Sequence, residues 1–173
     1  AEWITGGRAD LGLLYNPEPV PALEITPLLR EPLCLVQPRP ARSSKAGRRA
    51  TAATVKLREL VDYPLVLPER TQSLRRLLQT QATLAGVTLD IACEVSSIPA
   101  IIDLVCARMG HAVLTESAVA ASGRAAELCT RRIVEPELPT VLCLAQSATK
   151  PPTPLIREAR RVLSGLVARG KPQ

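Results

Sequence analysis

Apolar residues along the chain fall in short blocks separated by polar turns, and their period changes from block to block. Leu11-Gly-Leu-Leu-Tyr15 and Leu65-Val-Leu67 are continuous apolar runs, which predicts strands covered on both faces as in a parallel sheet. Leu74, Leu77, Leu78, Gln81 and Ala85 recur at helical spacing before Gly86, so a helix is expected with that row inward. A second helix follows from Ile98, Ile101, Ile102, Val105, Cys106 and Met109, with Ser96-Ser97 as its caps, Pro99 in its first turn and Gly110 as its stop. The third begins near Thr153, with Leu155, Ile156, Ala159, Val162, Leu163, Leu166 and Val167 inward and Arg157, Glu158, Arg160 and Arg161 outward.

Between these lie weaker signals. Ala1-Glu-Trp-Ile-Thr5 reads as a last helical turn closed by Gly6-Gly7, the end of an element whose beginning is expected upstream. Three prolines alternate from Pro17 to Pro21 and hold that stretch extended as a surface connection. Leu23 to Val36 is one long extended passage in which Pro27 and Pro32 imply an edge or a crossover. Gln37 to Thr54 reads as a loop, and Val55 to Asp62 as a short helix stopped by Tyr63-Pro64. Strands are expected over Val87 to Val95, His111 to Thr115, Leu128 to Val134 and Thr140 to Ala145, with a short helix from Ser117 to Ser122. Strands alternating with helices predict an α/β architecture with mostly parallel pairing.

Composition narrows the function classes. The 173 residues suit one ordinary domain or two small lobes, and no apolar run is long enough to span a bilayer. A net charge of +6 suggests nucleic-acid binding until its location is read. Arg39, Arg42, Lys45, Arg48, Arg49, Lys56 and Arg58 lie in one stretch without an acid; with those seven removed, 15 basic residues stand against 16 acidic ones. The basicity belongs to one loop, which is expected to be solvated rather than to contact phosphates. Trp3, Tyr15 and Tyr63 are too few and scattered for a base-stacking platform, and there is no Phe. Cys34, Cys93, Cys106, Cys129 and Cys143 are far apart, with His111 the sole imidazole, so no zinc site is expected; buried, reduced thiols in the cytoplasm fit them better.

The search for catalytic constellations is negative. No G-x-S-x-G, P-loop, G-x-G-x-x-G or H-E-x-x-H is present, His111 opens a buried strand, and Glu135 and Glu137 flank Pro136 in a connection. Neither an enzyme nor a cofactor is expected. What remains is a pair of polar helix starts directly after buried strands: Thr71-Gln72-Ser73 after Leu65-Val-Leu67, and Ser96-Ser97 after Glu94-Val95. Free N–H groups and the positive dipole end make such starts natural seats for an anion. Hydroxyls there also serve as caps, and that reading stands beside the first.

The order and wording of the segments resembles the effector-binding domain of LysR-type transcriptional regulators. The resemblance is carried by Trp3-Ile-Thr-Gly-Gly-Arg-Ala-Asp-Leu-Gly-Leu-Leu-Tyr15, Leu28-Leu-Arg-Glu-Pro-Leu33, Leu65-Val-Leu-Pro68 and Val105-Cys-Ala-Arg-Met-Gly-His-Ala-Val-Leu114. It covers nearly all of the chain and is nearest in flavour to nitrogen-assimilation regulators. Thr115-Glu116, in place of a proline region, and Arg108, where a small residue is common, depart from the pattern.

The resemblance implies two Rossmann-like lobes of the type II periplasmic-binding-protein kind joined by two crossover strands. Lobe I would comprise residues 1–33 and 142–173, and lobe II residues 34–141. It further implies that a winged helix-turn-helix, a linker helix and the first strand and helix of lobe I precede this sequence. A small, often anionic effector would bind in the inter-lobe cleft and alter how an oligomer contacts promoter DNA. Carried over by position, its second-lobe contacts would be Pro68, Thr71, Ser73 and Leu74 on one helix start and Val95, Ser96, Ser97 and Ile98 on the other. The implied partners are a second copy of this domain, joined through the helix ending at Trp3 to Thr5 and the helix Leu74 to Ala85, a tetramer in the longer protein, and DNA only through the helix-turn-helix. The competing reading is a free-standing solute-binding protein of the same fold; five cysteines argue against an exported chain.

Overall fold

The computed structural model describes residues 1–40 and 52–169. Within them the chain passes twice between two compact units, residues 1–31 with the segment from 140 onward, and residues 32–139. Arg42, Lys45, Arg48 and Arg49, and most of the stretch read as a loop, lie outside the described residues.

The first unit contains α1 (Glu2–Thr5), β1 (Leu11–Tyr15), the first half of β2 (Leu23–Pro38), most of β8 (Pro139–Ser147) and α5 (Pro154–Arg169). α1 ends as expected at its glycines. Gly7 takes φ 71°, and the bonds Gly7 N–H to Ile4 O (3.1 Å) and Arg8 N–H to Trp3 O (2.7 Å) close a Schellman turn. β1 corrects an expectation. It pairs antiparallel with β8, Leu11 opposite Gln146, and Leu13 is 42% exposed, so the apolar run is an edge strand among the described residues rather than one covered on both faces.

α5 also differs from its sequence pattern. Leu155, Val162 and Leu166 are exposed, whereas Ile156, Ala159, Arg160, Leu163 and Val167 are half-buried. The buried face is rotated toward Arg160, which lays its aliphatic stem inward and brings its guanidinium to 3.7 Å from Glu24.

The second unit runs β3 (Thr54–Lys56), a 3-10 turn (Leu57–Asp62), β4 (Leu65–Pro68), α2 (Ser73–Leu84), β5 (Ile91–Val95), α3 (Ile98–Cys106), β6 (Ala112–Thr115), α4 (Glu116–Ala121) and β7 (Leu128–Val134), together with the second half of β2. β2 therefore continues through Gln37 and Pro38, which had read as loop, and β5 starts later than Val87. The helix expected over 55–62 is instead a strand followed by the 3-10 turn. Lys56 N–H bonds Glu59 Oε2 at its start, and Tyr63 is extended before Pro64 at its end.

The pairing is mixed. β3 is parallel to β7 and β4 to β5, but β2 is antiparallel to both β6 and β7. The mostly parallel expectation fails at β2, which runs opposite to both of its neighbours in this unit. The β4 run behaves as its composition demands: Leu65 and Leu67 enter one core cluster with Leu35, Leu57 and Leu78, while Val66 enters another with Ile101, Val105 and Leu114. Each fully buried leucine contributes about 2 kcal/mol.

Helix ends show which residues stop them. α2 closes on Gly86 (φ 67°) with Val87 N–H bonded to Ala82 O at 2.8 Å. α3 closes in the same way, but on Arg108 at φ 61°, with Arg108 N–H to Val105 O and Met109 N–H to Leu104 O. Gly110, expected as the stop, lies past it. An arginine in the left-handed region carries a strain that glycine lacks. Arg108→Gly is expected to stabilise this unit by about 1 kcal/mol and raise its Tm by roughly 2–4 °C, as read by thermal circular dichroism.

Candidate functional site

β4 and β5 are parallel neighbours, with Pro68 opposite Val95, so both strands end at the same level. Each feeds a helix. After Pro68 the chain turns through Glu69–Gln72, closed by Gln72 N–H to Glu69 O at 3.0 Å, and enters α2 at Ser73. After Val95 it passes Ser96 and Ser97 into α3 at Ile98. Gln72 Nε2 donates to Ser96 O at 3.4 Å and ties the two connections together. Two helix N-termini thus open side by side at the carboxyl ends of parallel strands, where open α/β sheets form their crevices.

All eight residues singled out from the sequence lie at these two starts. Pro68 is buried, Ser73, Leu74, Val95 and Ile98 are half-buried, and Thr71, Ser96 and Ser97 are exposed. The capping expectation is corrected. The N-cap of α2 is Gln72 and that of α3 is Ser97, and neither side chain bonds its helix. Among the described residues the hydroxyls of Thr71, Ser73, Ser96 and Ser97 have no hydrogen-bond partner, and the first N–H groups of both helices lack a side-chain cap. Thr115, at the end of β6, shows the contrast: its Oγ1 accepts from Ala118 N–H and meets Ser117 Oγ at 3.1 Å, so it caps α4 and explains why the helix begins one residue before Ser117.

The residue that pattern reading missed is Arg75. The leucine row places Leu77 and Ala85 inside, but the deeply buried positions of α2 are Arg75, Leu78 and Ala82, and Ala85 is exposed. Arg75 is 1% exposed and crosses beneath the connection. Its Nη1 reaches Pro68 O at 3.3 Å and Glu94 Oε1 at 3.0 Å, and its Nη2 reaches Gln79 Oε1 at 3.2 Å. A second cation, Arg70, approaches Glu94 at 3.5 Å. The hydrogen bond from Arg75 holds the Glu94 carboxyl below the usual carboxylate range, so Glu94 stays ionised and matched to its arginines. The one available signal was spacing: 75, 78 and 82 share a helix face, with a glutamate at the end of the adjacent strand.

His111 is held at the foot of β4 by His111 N–H to Pro64 O (2.9 Å) and Val66 N–H to His111 O (2.7 Å). Its ring packs edge-on against Tyr63, and burial lowers its pKa. The cysteines are only partly as expected: Cys34 and Cys143 are buried, but Cys93 is exposed on β5. Among the described residues no group of His, Cys, Asp and Glu is placed to hold a metal ion, and no helix is long and apolar enough to cross a membrane.

Residues 1–167 match the family described as LysR substrate binding domain. The chain belongs to that family. Its fold is the mixed α/β, type II periplasmic-binding-protein-like fold of those domains. The nitrogen assimilation regulatory protein Nac of Klebsiella aerogenes is 28% identical over 166 residues, covering 96% of this chain and 52% of Nac. Among solved structures, the regulatory domain of CcmR from Synechocystis PCC6803 in complex with 2-PG superposes with a TM-score of 0.77 at 19% identity, covering 96% of this chain and 77% of that one. The effector binding domain of QuiR in complex with shikimate gives 0.75 at 19% identity, covering 96% and 76%. The chain spans about half the length of the curated relatives it matches, 52% and 48%. The curated relatives it matches are named as regulators, Nac and the HTH-type transcriptional regulator BbuR of Bordetella bronchiseptica.

Proposed function

We propose that this LysR-family domain senses a small anionic effector at the paired starts of α2 and α3, and that in a longer cytoplasmic regulator the binding is coupled to oligomer arrangement and promoter DNA. The observation that carries this is the set of four hydroxyls without hydrogen-bond partners and two helix N-termini without side-chain caps among the described residues, side by side at the ends of β4 and β5. Arg70 and Arg76 stand exposed beside them, and with the positive ends of the two helix dipoles they favour a carboxylate or phosphate. In this reading Thr71, Ser73, Ser96 and Ser97 donate to the anion, Leu74, Val95 and Ile98 pack on its apolar part, and Pro68 shapes the turn. No cofactor takes part. The domain pairs with a second copy of itself and tetramerises in the longer protein, where a winged helix-turn-helix contacts DNA.

Coupling of about 1–3 kcal/mol between effector and DNA is enough for such a switch. A free-standing solute-binding protein would use the same fold, and the match to regulators weighs against it. Thermal shift against small carboxylates, phosphate esters and amino acids is the direct test. A binder at about 100 times its Kd adds about 2.7 kcal/mol to the native state, a rise of roughly 5–10 °C. Thr71→Ala with Ser96→Ala is expected to remove that rise and leave the ligand-free Tm within about 2 °C, since both side chains are exposed and unbonded. A full shift retained in the double variant would place the effector elsewhere.

A further inference from the structure

His111 is the one histidine of the chain, and it stands at a joint within the second unit. The two-stranded sheet β4–β5, which carries both helix starts, meets the segment leading into β6 through a parallel bridge between Leu65 and His111. Its bonds are Val66 N–H to His111 O and His111 N–H to Pro64 O. On β2 the Gln37 carboxamide nitrogen lies 3.4 Å from His111 Nδ1. An amide nitrogen only donates, so Nδ1 accepts and the neutral ring carries its proton on Nε2. Gln37 is 6% exposed, and its Oε1 is buried without a hydrogen-bond partner among the described residues. An unpaired buried acceptor one rotation away from an imidazole nitrogen calls for an explanation. From this juxtaposition we propose that His111 and Gln37 form a proton-operated switch at the joint: when Nδ1 takes up a proton, the Gln37 carboxamide turns over and its oxygen accepts the new N–H.

The surrounding groups set the direction of the switch. Tyr63, just before β4, packs its ring edge-on against the imidazole with centroids 5.1 Å apart, and its hydroxyl accepts from Arg131 Nη1 of β7 at 2.9 Å. Cys129 of β7 stands opposite Gln37 in the ladder, and burial raises its pKa, so the thiol stays protonated. No carboxylate enters the titration of the ring, whose pKa is lowered by burial alone. The imidazolium therefore lacks a counter-charge, and the Gln37 oxygen is the acceptor at hand. Turning the carboxamide over needs only rotation about the last side-chain bond and gives a charge-assisted hydrogen bond in place of a neutral one. The cost of burying the charge that remains falls on the joint, because opening the Leu65–His111 bridge lets the ring reach water. The full strength of the bridge is accordingly present above the ordinary histidine pKa and is lost as pH falls through the lowered one.

NMR of the single imidazole in the full chain tests the proposal. The neutral ring is expected as the Nε2–H tautomer, with NOEs from the Gln37 side-chain amide protons to His111 Hε1. As the ring titrates, those NOEs should disappear and the Gln37 amide signals should move with the same midpoint. Gln37→Leu separates a turning carboxamide from a fixed one by sign. If the oxygen serves the imidazolium, its removal lowers the midpoint by about half a pH unit or more; if the group only donates to the neutral ring, its removal raises the midpoint. Gln37→Met gives the same readout with a more adaptable side chain should Gln37→Leu fail to fold. Hydrogen-exchange protection of the Val66 and His111 amides should fall several-fold between pH 8 and pH 5 in the parent chain and stay level in His111→Phe. The proposal is overturned by a midpoint that rises or stays put in a folded apolar variant, by NOEs that persist through the titration, or by an equal loss of protection in His111→Phe.

Discussion

Gly110→Ala is expected to lower the Tm of the second unit by roughly 6–12 °C, from a loss of about 3 kcal/mol. A methyl group on Gly110 would sit 2.9 Å from the carbonyl oxygen of Pro64 and 3.0 Å from Val66 Cγ2, on a backbone whose φ is 154°. Neither neighbour can yield cheaply. Pro64 O accepts from His111 N–H and Val66 N–H bonds His111 O, so moving either one breaks the tie between β4 and the segment leading into β6. Gly110→Val should abolish the cooperative melt of this unit. If Gly110→Ala melts with the parent in far-UV circular dichroism, the close approach of these backbones is not a constraint on the fold.

The second large effect belongs to Arg75. Arg75→Ala is expected to cost about 2–4 kcal/mol, combining the volume left behind with the unbonded Pro68 carbonyl. Arg75→Met, which keeps most of the volume and removes the charge, should cost less, and the difference separates packing from hydrogen bonding. Both variants release the connection that carries Thr71, so effector affinity at the α2 start should fall further than stability alone explains. The pH dependence has a definite sign. Because the Glu94 pKa is lowered in the folded state, its contribution is fully present above the ordinary carboxylate pKa and disappears as pH falls below it. Denaturant melts at pH 7 and pH 4 should therefore show a smaller penalty for Arg75→Met at the lower pH; an equal penalty at both would mean the ion pair contributes nothing.

Much of the local structure was legible as pattern. Leu65-Val-Leu67 reads as a two-faced strand because both of its faces are buried, and Gly6-Gly7 and Gly86 read as helix ends because a left-handed cap is costly for other residues. The hydroxyls of Thr71, Ser73, Ser96 and Ser97 stand out as polar breaks after apolar strands. Those are local facts, decided by the alternation of side chains and the backbone preferences of single residues.

What adjacency does was not legible there. The run Leu11 to Tyr15 has the composition of a central strand and lies at an edge, since exposure depends on what pairs beside it. Leu155, Val162 and Leu166 mark the apolar side of α5, yet the face that meets its unit is the one carrying Arg160, whose guanidinium lies 3.7 Å from Glu24 on β2. Arg75 reads as a surface cation and is buried, paired with Glu94, which stands nineteen positions away on the strand beside it. The two helix starts themselves could be named from residue order alone, whereas their side-by-side placement came from the register that sets Pro68 against Val95. Periodicity fixes which side of an element is apolar; only the packing of elements distant in sequence decides which side is covered, which charge is paired, and which hydroxyls are left unclaimed.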